Sequence, residues 1–219
     1  MVVGRLGRGE YNTMGRKLGP KHHLCRRTGE RLCTSERCPV TRRHTPPGVH
    51  GPKGYGRQTE YGMQLREKQK VKYVYGVMER QFRRYYEAAA KKQGNTAELF
   101  LQFLERRLDN VVYRLGMARS RPEARQMVNH GWVLVNGKRV DIPSYEVRSG
   151  DVITLKPVSL KSPRWQEISR QRQGEGNANP PSWLIFDSTA GSGKIVSLPT
   201  TADYPANLHM RLVVEFYSR

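Results

Sequence analysis

The stretch Leu108–Leu155 constrains the fold more than any other part of the chain. Leu101, Leu104, Leu108, Val111, Val112 and Leu115 recur at three- and four-residue steps, which predicts one apolar stripe on a helix ending near Gly116. Asn95 or Thr96 caps its start. Ser120 caps a second helix, with Glu123 completing a capping box and Pro122 in the first turn, where a missing N–H costs little. Ala124, Met127 and Val128 face inward, while Arg121 and Arg125, four apart, share another face. His130 and Gly131 stop the helix. A strand over Trp132–Val135 leads into Asn136-Gly137, the strongest short hairpin signal, and then into Lys138, Arg139 and Val140. Asp151–Leu155 reads as a further strand after the turn at Ser149-Gly150. The polar side chains of this module are largely arginine and lysine, as a surface laid against a phosphate backbone requires.

Charge is a property of the whole chain. Its 219 residues carry a net charge of +20, with 37% apolar residues and a mean hydropathy of −0.73. One or two domains with modest cores are expected. Such a field attracts polyanions, nucleic acid first and an anionic membrane second. No apolar run approaches the length of a spanning helix, and the first twenty residues have no apolar segment of the secretory type, so an intracellular protein is expected.

Residues 1–60 carry 13 Lys and Arg against 4 acids, whereas residues 157–219 carry 7 against 5. The amino-terminal third is therefore the strongest electrostatic contributor. It is poor in regular periodicity, as befits a basic arm that takes its shape from bound RNA. Residues 41–60, rich in Pro, Gly and His, read as an extended loop. Glu60–Tyr75, Val77–Lys92 and Ser162–Arg172 read as helices, Gln173–Pro181 as a linker, and Trp183–Phe186 and Leu212–Tyr217 as strands.

Two kinds of chemistry stand out. Three cysteines cannot all pair with one another, and in a chain without an export signal they are expected reduced or metal-bound. His22-x2-Cys25-x7-Cys33-x4-Cys38 offers the nitrogen and sulfur ligands of a structural zinc site, with His23 and His44 as alternatives for the fourth position. The plainer reading is three free thiols beside RNA-facing histidines.

The second is cation density. In the arm it comprises Arg26, Arg27, Arg42, Arg43, Lys53 and Arg57, and on the helices after it Arg66, Lys68, Lys70, Lys72, Arg83 and Arg84. In the hairpin module it comprises Arg106, Arg107, Arg119, Arg121, Arg125, Lys138 and Arg139. Any single run is usually a solvated face, but their density over the first 140 residues suits a reader of phosphate and 2′-OH groups. Ser120, Asn129, His130 and Asn136 are polar groups near the same surface, and Asp109 is expected to serve as an internal partner for an arginine. Tyr61, Tyr73, Tyr75, Phe82, Tyr85 and Tyr86 fall at helical steps and read mostly as core. Catalysis finds little support: the run Gly191-Ser-Gly-Lys194 fails the phosphate-loop pattern, with Ser188 where a glycine is needed and Ile195 after the lysine.

The segments RLDNVVYRLG (107–116), SRPEARQMVNHGWVLVNGKRVDIPSYEV (120–147) and GD (150–151) closely resemble the S4 RNA-binding domain. MGRKLGP (14–20), LREKQK (65–70), ERQFRRYYEAAAKK (79–92) and LVVEFYSR (212–219) are similar to the flanks of the bacterial-type S4 family of small-subunit ribosomal proteins. The resemblance implies an α+β fold and no enzyme activity. A discontinuous, mainly helical domain (14–105, completed by 171–219) would carry a basic zinc-type arm. An S4-type domain of two helices and a small antiparallel sheet (106–170) would be inserted in it, and residues 1–13 would be a disordered extension.

Zinc-bearing relatives hold four cysteines where this chain has His22, Cys25, Cys33 and Cys38. The resemblance also implies binding to small-subunit rRNA, early nucleation of assembly and contact with the ribosomal protein S5. It further implies a place near where mRNA enters, an influence on decoding accuracy, and location in ribosomes of the cytoplasm or of an organelle of bacterial descent. Two other classes compete with that reading: an RNA-modifying enzyme of the pseudouridine synthase type, and a zinc-dependent RNA-binding regulator acting on its own mRNA.

Overall fold

A computed structural model describes residues 19–35, 37–174, 180–187, 191–205 and 207–219, with backbone only for 171–174. The expected extension over residues 1–13, most of the linker and Ser188 lie outside the described residues. Among those described, the chain forms two units, one of residues up to Glu87 with Leu208–Arg219, the other Ala88–Asn207.

The first unit is helical. Helix α1 (Lys21–Thr28) lies in the arm, which the sequence pattern left as irregular chain; Gly29, at φ 75°, closes it. Helix α2 (Glu60–Tyr75) starts at Thr59, whose hydroxyl accepts from Gly62 N–H, and ends at the left-handed Gly76. Helix α3 spans Glu79–Ala90. The closing segment departs from expectation: Met210–Ser218 is a helix (which becomes α9 in chain order), whereas Leu212–Tyr217 was expected as a strand. The apolar run Leu212, Val213, Val214 favours a strand locally, but Met210 and Val213, three apart, are the buried positions, and the segment packs along α2. Tyr217 stacks on Tyr86 (centroids 4.7 Å apart) and meets Phe82 at 6.2 Å.

The second unit contains the predicted hairpin module with one change. The apolar stripe from Leu101 to Leu115 is split into α4 (Thr96–Glu105) and α5 (Leu108–Arg114). Between them Arg107 is extended and forms an isolated β-bridge with Glu146, and Leu108 N–H donates to Tyr145 C=O. Leu101, Leu104, Leu108, Val111, Val112 and Leu115 are nonetheless all buried, on both sides of the break. Asn95 caps α4, its side chain accepting from Ala97 N–H.

Helix α6 (Arg121–Asn129) has Pro122 in its first turn, His130 at its end and Gly131 left-handed behind it. The capping box is absent: Ser120 makes no side-chain cap bond, and Glu123 accepts from Arg119 N–H instead. Strands β1 (Val133–Val135) and β2 (Lys138–Arg139) flank Asn136 (φ 50°) and Gly137 (φ 77°), the paired positive angles a tight hairpin needs.

Strand β3 (Val152–Leu155) pairs with β1. After α7 (Pro157–Leu160) and α8 (Pro163–Gly174), β4 (Leu184–Asp187) and β5 (Ser192–Ile195) extend the sheet to the antiparallel order β2-β1-β3-β5-β4. Segment 184–195 thus joins the hairpin module, and of the expected 171–219 completion of the helical domain only Leu208–Arg219 lies in the first unit. The reason is the free edge of β3, which β5 covers through Val152–Thr154. Gly191 is the turn residue before β5 and Ser192-Gly-Lys194 are in the strand, so this run is not a phosphate loop. Leu108, Val111, Leu115, Val128, Val133, Ile153, Trp183 and Ile195 fill the core.

Candidate metal centre and nucleic-acid interface

Helix α1 and the turn after it gather His22, Cys25, Cys33 and Cys38. Their ligand atoms all lie within 4.8 Å of one another, and His22 Nδ1 is 3.7 Å from Cys33 Sγ. Zinc, with bonds of about 2.0–2.3 Å, sets its four ligand atoms roughly 3.5–3.8 Å apart, so this cluster fits such an ion after small adjustments. Cys25 and Cys38 are buried and, with Val40, make a minimal core. Burial, then the neighbouring Cys38 and Cys25 thiols, push the Cys33 thiol up to about 11, so with no cation it stays protonated at neutral pH. His23 and His44 are exposed and outside the cluster.

The expected cations differ in burial and in what holds them. Three of them are internal and present no charge to a partner. Lys70 (1% exposed) bonds Glu67 and Glu30, each at 3.0 Å. Lys68 (6%) bonds Glu79 at 2.8 Å. Arg107 (2%) is bidentate on Asp109, at 3.1 and 2.6 Å. Charge alone cannot show this from sequence, because Glu30 and Glu79 come from outside α2, and even Glu67, one turn from Lys70 on the same helix, reads equally well as an exposed pair.

Others are anchored by the backbone: Arg26 on Thr45 and Pro46 carbonyls, Arg66 on Thr28, Arg106 on Val147. Lys72 bonds Glu79 at 2.7 Å. Burial by itself would raise the Glu79 carboxyl, but hydrogen bonds from Lys68, Lys72 and Tyr217 outweigh it and hold that group at about 2.

Arg27, Arg42, Arg43, Lys53, Arg57, Arg83 and Arg84 are exposed on the first unit, with Arg83 bonded to Glu87. On the second unit Arg119, Asn129, His130, Asn136, Lys138 and Arg139 are exposed. Arg119 pairs with Glu167, and Asn136 is tied to Asp151 and to Val152 N–H. Gly131 allows Arg139 to fold over it: a Cβ there would lie 2.8 Å from Arg139 Cζ.

Arg121 and Arg125 are half-buried and braced from below. Arg121 donates to Asn110 Oδ1 (2.8 Å) and covers the Tyr113 ring at 4.6 Å, while Arg125 donates to Asp109 Oδ2 (3.1 Å). Asn110 is held in turn by Glu105, which is 1% exposed and also takes Arg114 at 2.7 Å. Asp109 is thus the internal partner expected of it. The Glu105–Asn110–Arg114 network was not legible beforehand, because it spans the unforeseen break between α4 and α5.

No helix among the described residues is long and apolar enough to cross a membrane.

Comparison with known proteins gives this basic architecture a lineage. The ribosomal protein S4/S9 N-terminal domain matches residues 16–105, and the S4 domain matches residues 106–153. Small ribosomal subunit protein uS4 of Halothermothrix orenii is 52% identical, over 94% of this chain and the whole of that relative. Its namesakes from Acetivibrio thermocellus and Dictyoglomus turgidum are each 50% identical with the same coverage. With both domains in order and half the residues shared over nearly the full length, the chain belongs to the uS4 family of small-subunit ribosomal proteins, whose role is structural and not enzymatic.

Proposed function

We propose that this chain grips small-subunit rRNA directly, clamping a junction of RNA helices by neutralising phosphates and matching shape. The observation that supports this best is the surplus left once internal pairs are satisfied: Arg27, Arg42, Arg43, Lys53, Arg57 and Arg84 on one unit, Lys138 and Arg139 on the other, all exposed. Arg121 and Arg125 add a preset pair of planar forks, their orientation fixed by Asn110 and Asp109 before any RNA arrives. A-form RNA offers phosphates and 2′-OH groups far more readily than base edges in its deep groove, so such a surface reads form before sequence. By holding several helices in one arrangement, the protein lowers the entropy cost of later steps and nucleates subunit assembly. Contact with S5, a place beside the incoming mRNA and a contribution to accuracy accompany that role in this family.

Zinc, held by His22, Cys25, Cys33 and Cys38, would brace the arm. It would withdraw the thiol protons and tie α1 to the turn that follows, in a segment whose own core is minimal.

Binding of the full chain to small-subunit rRNA and to random RNA of equal length, over a range of salt, tests the main reading. Lys138→Ala and Arg139→Ala are each expected to flatten the log–log salt slope by about 0.7–0.9. A wild-type protein with no preference for the ribosomal transcript refutes it.

A further inference from the structure

Asn136-Gly137 is the only Asn-Gly pair in the chain. Among dipeptides this is the one most prone to lose its amide. The Gly137 amide nitrogen attacks Asn136 Cγ, the Cγ–Nδ2 bond breaks, and the glycine's proton passes through water to the departing ammonia. Water then opens the resulting cyclic imide at either carbonyl, which gives aspartate or isoaspartate, and neither step needs an oxidant. Gly137 brings no Cβ to shield its nitrogen, and nothing stands within 4 Å of where one would be. Both residues are exposed. The tight hairpin nonetheless demands such a pair, because few other residues accept its positive angles (φ 50° and 77°). A labile amide therefore sits at the tip of the basic hairpin.

The start of β3 engages that amide at both ends. Asn136 Nδ2 donates to Asp151 Oδ1 at 2.8 Å, and its Oδ1 accepts from Val152 N–H at 2.9 Å. The backbone N–H of Asn136 donates to Val152 C=O at 2.8 Å. Asp151 is fixed in turn, its Oδ2 accepting from Arg148 N–H at 2.7 Å. Cγ meets the Gly137 nitrogen only when the side chain swings back along its own chain, which breaks both side-chain bonds. A donor on Oδ1 polarises the carbonyl and by itself favours attack, so the protection lies in position. Asp151, whose negative charge strengthens its bond, is the positioning residue.

We infer that Asn136 is a deamidation site held closed by Asp151, and that its opening disables the hairpin for RNA; the second half rests on the RNA-binding reading above. An aspartate at 136 sets a second carboxylate against Asp151, where an N–H now stands at 2.8 Å. An isoaspartate lengthens the turn by one backbone atom. That shifts the pairing of Val135 with Lys138 and of Leu134 with Arg139, and so displaces both cations.

Ageing the full chain at mildly alkaline pH tests it, with peptide mass spectrometry reading the amide and isoaspartyl methyltransferase labelling reading isoaspartate. Folded wild type should keep its amide, and urea-unfolded wild type should lose it. Folded Asp151→Ala should lose it about tenfold faster than folded wild type, the worth of one hydrogen bond to a charged group. Asp151→Asn, which keeps one acceptor oxygen, should fall between the two. Leu155→Ala, which weakens the same strand at a buried position away from the clamp, should stay close to wild type. Fresh Asp151→Ala should bind small-subunit rRNA as wild type does and lose that binding in step with its amide. The inference is overturned by folded wild type deamidating as fast as unfolded, or by Asp151→Ala proving no faster than wild type. It is equally overturned if Leu155→Ala speeds the loss as much as Asp151→Ala, which would mean general loosening. Undiminished binding by deamidated protein overturns the RNA half alone. Fresh wild type with no preference for the ribosomal transcript overturns the RNA-binding reading and leaves the clamp standing.

Discussion

Asp109→Ala isolates the contact that organises the second unit. Asp109 is 5% exposed and accepts three hydrogen bonds, two from Arg107 and one from Arg125. Arg125 is partly solvated and loses little, under about 1 kcal/mol. Arg107 is 2% exposed and would lose the carboxylate that it grips through two bonds, which costs about 3–5 kcal/mol. Against a total stability of about 5–15 kcal/mol this is a large fraction.

The chain offers a clean probe, because all three tryptophans belong to that unit, Trp165 and Trp183 in its core and Trp132 packed against it. Urea unfolding followed by tryptophan emission should show the midpoint falling by roughly 2 M, taking a slope of about 2 kcal/mol per M. Arg107→Met combined with Asp109→Leu should recover most of the loss, since an apolar pair needs no counter-charge. A midpoint within about 0.5 M of wild type for Asp109→Ala, equivalent to about 1 kcal/mol, would show that the pair does not organise this unit.

Other outcomes are equally specific. Metal analysis of the purified chain should give one zinc per molecule, reduced in His22→Ala, and a chelator should expose the arm to proteolysis; substoichiometric metal in wild type contradicts this. Glu79 titrates at about 2 in the folded chain, below its ordinary 4.5, so its stabilisation is complete above 4.5 and lost as pH falls towards 2. Hydrogen exchange at α2 and α9 should quicken across that window in wild type and be insensitive to it in Glu79→Gln. In the free protein, Gln69→Leu should raise stability by about 1 kcal/mol, because it removes an unsatisfied acceptor; thermal unfolding followed by far-ultraviolet circular dichroism reads this.

Local chemistry made part of the fold legible in advance. The Asn136-Gly137 hairpin, the stop at His130-Gly131 and helix α2 were readable because each depends on a few neighbouring residues with sharp conformational demands. What failed depended on distant partners. Arg107 leaves the helix to bridge Glu146, and the apolar spacing gave no hint because it continues across the break. The run Leu212–Val214 suits a strand until packing along α2 favours a helix that buries Met210 and Val213. Of the site, the ligand set of the metal cluster was visible as spacing, whereas the interior roles of Lys68, Lys70 and Arg107 were not, since burial of a cation is decided by which carboxylate the fold brings to it.

The pairing of α2 with α9 also sets an order of events during synthesis. Gln64 and Glu215 meet across 151 residues of chain. The hairpin unit lies wholly between them and can close while the ribosome is still making the last helix. The unit whose first residues emerge earliest is therefore finished last, and until then the face of α2 that carries Tyr61, Gln64 and Lys68 lacks its cover. For a protein rich in positive charge, that interval favours early capture by RNA or a chaperone.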